Sequence, residues 1–254
     1  MKNYTYLSPK EQHIFSQIED YNKIFTIIDI FNLMGKKEYY ALMGLRNKGH
    51  IIRLRRGVYA TKKAFLENPY KIAAELENGV IGFISALKMH ELIDYEPNAI
   101  FILTESHSYN LQILNYRLCF INLKRKWGFK DINGIFVTDI EKTFVDSVFK
   151  PDYSGGYPTI AKALFEAEIE WRKLIGYLEK YGKSSLYQKM GYLLSLLHEK
   201  GKTVPDYVFK VMKKNIKNKL RLVPNAKLKY LYIKEWKIMD NLGKNHILGG
   251  INGS

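Results

Sequence analysis

The chain reads TIIDIFNLMGKKEYYALMGLRNKGHIIRLRRGVYA from residue 26 to residue 60. Thr26 can cap a helix in which Asp29 completes the capping box. This pattern predicts a helix over 27–34 that ends at Gly35. The first element of the stretch is therefore a short, capped helix.

A second helix and a basic hairpin follow in the same stretch. The helix is predicted over 37–48, because Gly49 stands where a helix end often needs a positive φ angle. Two short β-prone runs within 51–60 flank the sequence RRG at 55–57, and this pattern is typical of a hairpin.

One more helix precedes this stretch. Ser8 can cap it, Pro9 suits the first helical position, and Glu11 completes a capping box, which together predict a helix over 8–21. Three short helices followed by a basic hairpin are typical of a winged helix-turn-helix. We therefore expect residues 1–63 to form a winged helix-turn-helix DNA-binding domain.

In a winged helix-turn-helix the third helix enters the major groove and the hairpin lies beside it. Arg and Asn side chains reach base edges, whereas Lys and Tyr side chains hold phosphates. The side chains that we expect to contact double-stranded DNA are Lys36, Lys37, Tyr39, Tyr40, Arg46, Asn47, Lys48, Arg53, Arg55 and Arg56.

Other interpretations of this segment stay open. Tyr40, Leu42 and Leu45 suit a core better than a contact surface. Alternating arginines on a hairpin also suit a solvated face, and winged helices act as protein–protein modules in some proteins.

The rest of the chain, 64–254, is predicted to form a larger mixed α+β domain, so the fold class is α+β. Its predicted strands are 80–84, 99–104, 117–123, 135–137, 220–223 and 228–238. Its predicted helices are 69–79, 85–92, 138–149, 159–167, 170–181, 185–199 and 205–216. Ser85 and a capping box from Thr138 to Glu141 are expected to begin two of these helices. The segment 61–68 is expected to be a linker, and 243–254 is expected to be frayed.

The net charge favours a nucleic-acid partner. The 254 residues include 40 Lys and Arg against 25 Asp and Glu, for a formal net charge of +15. Residues 1–63 carry 12 basic and 5 acidic side chains, residues 200–254 carry 13 and 3, and residues 64–199 carry 15 and 17. An excess at both ends is typical of a polyanion partner, although a general richness in lysine would also produce it.

Four lysines near the C-terminus form a candidate additional basic surface. On a helix they would share one face, where they could extend a DNA footprint, meet an acidic partner or simply be solvated. They are Lys210, Lys213, Lys214 and Lys217.

Composition points to a cytoplasmic protein with no membrane partner. Apolar residues make up 46% of the chain, yet no apolar run approaches the roughly 18 residues that cross a bilayer. The residues MKNYTYLSPKEQ at the N-terminus contain no apolar segment of the signal-peptide type. A single cysteine, Cys119, excludes an internal disulfide framework and is expected to be a buried, inert thiol.

Few residues indicate catalysis, so we expect a protein that is not an enzyme and has no cofactor or metal. The six His residues do not pair with Cys, Asp or Glu at the spacing of a metal site, and the chain has no glycine-rich phosphate loop. One nuclease-like pattern exists, because Asp206 is followed by Glu235 and Lys237, which could hold magnesium. A metal-dependent nuclease or nucleotidyltransferase is therefore kept as a third hypothesis.

Several segments match a known family in order and spacing. They are LRNKGHIIRLRRGVYA at 45–60, NPYKIA at 68–73, ISALKMHELI at 84–93, TDIEKTFVD at 138–146 with Pro151 and Gly155-Gly156 after it, MGYLL at 190–194, and Trp236. Over about residues 8–241 the chain resembles the AbiEi-type antitoxins of type IV toxin–antitoxin systems, winged-helix transcriptional regulators of viral defence. It departs from that family at Gln188-Lys189-Met190, where arginine is expected.

The resemblance implies two activities. The winged helix would bind inverted repeats in its own promoter, as a homodimer, and repress transcription. The larger domain would counter a nucleotidyltransferase-like toxin encoded nearby, without a stable complex being required. A second hypothesis is a stand-alone regulator whose larger domain dimerises or senses a signal.

Overall fold

The computed structural model describes residues 6–21, 23–35, 38–123, 127–224 and 230–251. Within these ranges the chain forms twelve α-helices and three β-sheets, so the fold is mixed α+β. The helices are α1 (Pro9–Ile18), α2 (Ile27–Met34), α3 (Tyr39–Asn47), α4 (Lys62–Glu67), α5 (Pro69–Leu76), α6 (Phe83–Met89), α7 (Ile140–Phe149), α8 (Gly156–Glu166), α9 (Trp171–Tyr181), α10 (Ser184–His198), α11 (Asp206–Lys214) and α12 (Lys244–Leu248).

Twelve strands build the sheets of the described residues. They are β1 (Phe25–Thr26), β2 (Ile51–Arg55), β3 (Val58–Thr61), β4 (Val80–Ile81), β5 (Ala99–Thr104), β6 (Tyr109–Ile113), β7 (Tyr116–Asn122), β8 (Phe129–Ile132), β9 (Ile135–Thr138), β10 (Leu220–Arg221), β11 (Leu231–Ile233) and β12 (Ile238–Asp240). The strand orders are β1-β3-β2, β10-β12-β11 and β6-β7-β5-β4-β9-β8. Single turns of 3₁₀ helix lie at Pro151–Ser154 and Lys234–Trp236.

The chain folds as two compact units. The first contains residues 1–81, 102–124 and 131–136, and the second contains residues 82–101, 125–130 and 137–254. The sequence domains 1–63 and 64–254 stay a prediction. None of the helices in the described ranges is long and apolar enough to cross a membrane.

Helix caps explain where the first two helices begin. Ser8 and Glu11 form the predicted capping box of α1: the Ser8 amide donates to Glu11 Oε2 at 2.6 Å, and the Glu11 amide donates to Ser8 Oγ. Thr26 and Asp29 form the box of α2, and Gly35 ends that helix with a φ angle of 68°. The prediction of a helix over 27–34 is confirmed.

The core of the first unit holds these helices against the sheet β1-β3-β2. Phe25 and Tyr59 stack across the sheet, and aliphatic side chains from α1, α2 and α3 fill the space around them. The buried members of the cluster are Ile14, Ile18, Phe25, Ile30, Ala41, Leu42, Leu45, Ile51 and Tyr59. Burial of such side chains contributes about 1.5–3 kcal/mol each, so α3 is fixed by its apolar face.

The hairpin β2–β3 forms as predicted, and Gly57 at its turn has a φ angle of 76°. A β-bulge shifts the register between Arg53 and Arg55. The predicted linker over 61–68 is wrong, because α4 occupies most of it. Thr61 caps that helix by accepting a hydrogen bond from the Ala64 amide, at 3.1 Å.

Two predicted helix starts in the second unit are also wrong. Asp139 caps α7, and the Thr138 hydroxyl instead lies 2.7 Å from that of Thr143 inside the protein. Helix α6 begins at Phe83, two residues before Ser85. The Ser85 hydroxyl accepts a hydrogen bond from the Phe101 amide at 2.9 Å, so it serves a neighbouring strand rather than a helix end.

Other boundaries differ by a few residues, and three strands, β1, β6 and β8, are not among the sequence predictions. The predicted strand over 228–238 contains β11 and then the 3₁₀ turn Lys234–Trp236, with β12 beginning at its end. The described part of 243–254 is not frayed, because it forms α12 and buries Ile247, Leu248 and Ile251.

Two glycines on helices of the second unit differ in the space around them, so their alanine variants test how tightly this unit is packed. A Cβ atom on Gly191 would overlap the Trp236 indole, which is itself buried, whereas Gly176 has open space around it. We expect Gly191→Ala to destabilise the protein by about 1–3 kcal/mol through overpacking. The control Gly176→Ala should be neutral or stabilising, because alanine favours helices.

Urea denaturation of both glycine variants measures the free energy of unfolding directly. Equal stability of the two variants would contradict the packing described for Trp236.

Candidate nucleic-acid interface

Helix α3 has two faces with different chemistry. At about 100° per residue, Ala41, Leu42 and Leu45 fall on one side, and all three are buried. The polar side chains fall on the other side, within an arc of about 120°. The exposed residues of that arc are Tyr39, Tyr40, Arg46 and Asn47.

Two adjacent tyrosines begin the exposed face. Tyr40 is 89% exposed and Tyr39 is 52% exposed. The interpretation of Tyr40 as a core residue is therefore wrong, while Leu42 and Leu45 are core residues as expected. The two rings contact each other edge to face, with their centres 6.0 Å apart, and together they present an aromatic surface to the solvent.

Lys48 takes part in a structural ion pair. Its ammonium lies 2.5 Å from Glu11 Oε2 and donates to the Tyr6 carbonyl at 2.8 Å. Its hydrogen bond lowers the pKa of the Glu11 carboxyl. Gly44 leaves room for that carboxylate, because a Cβ atom there would overlap it. Lys48 thus links the end of α3 to α1 through an ion pair, whereas its neighbours Arg46 and Asn47 are exposed.

The three hairpin arginines are exposed, and they differ in their partners. Arg55 Nη1 lies 2.6 Å from Glu77 Oε1, and that carboxylate also accepts from Ser106 Oγ and from the Tyr109 hydroxyl. Arg53 Nε donates to the Arg55 carbonyl at 3.3 Å. Among the described residues Arg56 has no ion-pair partner, which makes it the hairpin cation most available to a ligand.

A cleft of about 380 Å³ lies beside the last turn of α3 and strand β2. Its cationic lining consists of Arg46, Arg53 and Lys62, and Gln112 adds an amide. Three cations around one open cleft in the first unit form a surface that suits phosphate oxygens. Two of the predicted contacts, Lys36 and Lys37, lie outside the described residues.

The lysines predicted as an additional basic surface do not share one helix. Helix α11 ends at Lys214, so Lys217 lies beyond it, and the prediction of a helix over 205–216 is too long. Lys213 pairs with Glu235 at 2.6 Å. Lys210 and Lys214 are exposed on α11.

The nuclease-like pattern is not assembled as a metal site. Glu235 is engaged by Lys213, and Lys237 donates to the Lys217 carbonyl at 3.0 Å. Among the described residues, no three His, Cys, Asp or Glu side chains lie together as a metal would require.

Cys119 is buried, and burial raises the pKa of its thiol.

The segment 138–146 forms a buried ionic network that our sequence reasoning missed. Lys142 and Asp146 are fully buried and pair one helical turn apart, and the Tyr181 hydroxyl also donates to Asp146. The Lys142 ammonium lies 4.9 Å from the centre of the Trp127 ring. The Lys-x-x-x-Asp spacing was the available signal, since residues four apart on a helix meet.

Acidic groups at the start of α7 are engaged as well. The Tyr177 hydroxyl donates to Asp139 Oδ2 at 2.6 Å, and Lys173 lies 3.2 Å from Asp139 and 3.1 Å from Glu141. Glu141 also accepts from the Glu170 amide, so its role is to bind α9 and not to complete a capping box. Burial by itself lowers the pKa of the Lys173 ammonium, but the carboxylates of Glu141 and Asp139 outweigh that effect and raise the pKa.

The histidine of the ISALKMHELI segment also has a structural role. His90 Nε2 lies 2.6 Å from the Thr138 carbonyl oxygen. Burial lowers the pKa of His90. This segment and the segment 138–146 therefore contact each other within the second unit.

A crystal structure of RV2827C protein from Mycobacterium tuberculosis is similar to this chain. The two are 15% identical, the match covers 96% of this chain and 95% of that chain, and the TM-score is 0.68. This similarity shows a shared fold. The chain matches no protein-family model and no curated protein sequence.

The Lys48–Glu11 pair predicts a defined pH dependence of stability. The pKa of Glu11 is lower in the folded protein than its ordinary 4.5. The pair therefore stabilises the fold above that pH, and its contribution is lost as the pH falls through the lowered value. We expect Glu11→Gln to cost about 1–3 kcal/mol near neutral pH, with the difference from wild type disappearing in acid.

Urea denaturation across the pH range checks this expectation. The control Glu67→Gln alters an exposed carboxylate on α4 and should change little. A Glu11→Gln variant as stable as wild type at neutral pH would contradict the account, as would a difference that persists in strong acid.

Proposed function

We propose that residues 6–61 form a winged helix-turn-helix that binds double-stranded DNA. In this proposal α2 and α3 are the helix-turn-helix, α3 enters the major groove, and the hairpin β2–β3 is the wing. The observation that carries the proposal is the exposed face of α3, which combines Tyr39, Tyr40, Arg46 and Asn47 opposite a buried apolar face.

Each exposed side chain suits one part of a DNA surface. Arg46 and Asn47 carry the donors and acceptors that distinguish base pairs in the major groove. Tyr39 and Tyr40 can donate to phosphates. Arg56 at the hairpin turn suits a phosphate or a narrow minor groove. Lys48 keeps its structural ion pair, so we assign it no direct base contact.

We further propose that the protein is a transcriptional autorepressor and the antitoxin of a type IV toxin–antitoxin system. The support is the ordered series of AbiEi-like segments together with the basic first 63 residues. The DNA site would be inverted repeats in the protein's own promoter, bound by a homodimer. The second unit would counter a nucleotidyltransferase-like toxin.

A stand-alone regulator is the alternative to an antitoxin. An open reading frame for a nucleotidyltransferase-like protein beside this gene is expected for an antitoxin and not for a stand-alone regulator. Co-expression of that neighbour tests the second activity. The antitoxin proposal requires the neighbour to arrest growth alone and to lose that effect when this chain is present.

Variants of α3 and variants of the hairpin should affect DNA binding differently: the first should reduce sequence discrimination, and the second should reduce affinity for any duplex. Arg46→Ala and Asn47→Ala should weaken binding to the native operator by about 1–3 kcal/mol and reduce its discrimination from other sequences. Arg56→Ala should weaken binding to the native and the scrambled duplex nearly equally and reduce the salt dependence, because a phosphate contact by Arg56 does not depend on sequence. Fluorescence anisotropy with both duplexes measures these effects.

The matched control is Arg172→Ala, which removes an exposed arginine from α9 in the second unit. It should leave the affinity for both duplexes unchanged. The proposal fails if Arg172→Ala weakens binding as much as the α3 variants do. It also fails if none of the variants of α3 or the hairpin changes the affinity.

A further inference from the structure

The second unit contains a cavity of about 750 Å³ that the DNA-binding proposal does not use. Its volume lies within the range typical of small-molecule sites, roughly 300–1,000 Å³. The walls come from the end of α7, the 3₁₀ turn Pro151–Ser154, the first turn of α8, one residue of α10 and segments near the C-terminus. The residues that matter most to its chemistry are Phe149, Lys150, Tyr153, Gly156, Lys189 and His246.

Lys189 places a positive charge in the wall of the cavity. It is partly buried on α10, and among the described residues its ammonium makes no ion pair and no hydrogen bond. Burial lowers the pKa of Lys189, although the charge of Asp152 acts in the opposite direction. An ammonium withdrawn from water is costly unless an anion accompanies it. The cavity beside it is the place for that anion.

A second lysine lines the same space. Lys150 and His246 line the cavity, and Asp152 is the one acidic residue of the described lining. Helix α8 begins at Gly156, and no side chain caps its first turn. The amide groups of this turn, which Pro158 does not share, and the helix dipole add partial positive charge at the cavity. Gly155 and Gly156 have φ angles of 74° and 81°, which favour glycine, so this turn carries no side chain at these two positions.

The remaining wall is apolar and extends beyond the space that a phosphate group fills. Phe149 and Tyr153 contribute rings, and Leu222, Val223 and Leu242 contribute aliphatic surface. The Tyr157 hydroxyl is directed at the Leu222 carbonyl, at 3.4 Å, and is buried. A ligand with a charged end and a flat apolar body would use both parts of the wall.

We propose that this cavity binds a phosphate-bearing small molecule of nucleotide size. Its phosphate lies against Lys189, Lys150 and the first turn of α8, and its base packs on the apolar wall. Lysine is well suited to a phosphate because it acts as a compact point charge. The site shares no residue with α3 or the hairpin, so this proposal stands or fails independently of DNA binding.

Isothermal titration of the full chain with ADP tests the proposal, and adenosine serves as the probe without phosphate. ADP should bind saturably, and adenosine should bind at least ten-fold more weakly. Lys189→Met should weaken ADP binding by about ten- to a hundred-fold, as expected for the loss of a charge-assisted hydrogen bond. Lys189→Arg keeps the charge and should retain most of the affinity.

The control Lys210→Met removes an exposed lysine outside the cavity and should bind ADP as wild type does. A thermal melt checks that each variant is folded, and Lys150→Met replaces Lys189→Met if the latter is not. The proposal is overturned if ADP does not bind saturably or if adenosine binds as tightly as ADP. It is also overturned if the cavity variants bind like wild type, or if Lys210→Met loses as much affinity as they do.

Discussion

The burial of Leu42 and Leu45 in the core of the first unit determines what α3 presents to its surroundings. With these two side chains packed among residues of α1, α2 and β2, the opposite face of the helix must be exposed. The Lys48–Glu11 ion pair adds a second tie between α1 and α3. A DNA-reading helix needs this rigidity, because base contacts depend on side chains held in a fixed register.

Local sequence signals predicted much of this first unit. Thr26 with Asp29, and Ser8 with Glu11, each satisfy orphan backbone amides at a helix start. Each capping box spans only four consecutive residues, so the local sequence is enough to predict it. The hairpin turn was predictable for the same reason, since Gly57 adopts a positive φ angle that few other residues adopt. Each of these signals depends only on neighbours in sequence.

Features that depend on distant residues could not be predicted in this way. Thr138 and Asp139 both suit a helix cap, and the Asp139 side chain that caps α7 also contacts Tyr177, which is 38 residues away. The exposure of Tyr40 is set by the orientation of α3 as a whole. Apolar residues of 243–254 are buried by tertiary packing that no local pattern shows. The place of Lys189 in the wall of a cavity likewise depends on residues far apart in the sequence.

The most direct test of the central claim is fluorescence anisotropy of the full chain with its own upstream DNA and with a scrambled duplex. Both should be measured at about 50 mM and about 200 mM salt, a range over which phosphate contacts weaken strongly. The account predicts tighter binding to the upstream sequence at both concentrations. Equal binding to the two duplexes that is lost at the higher concentration would contradict it, because the basic surface would then attract DNA by charge alone.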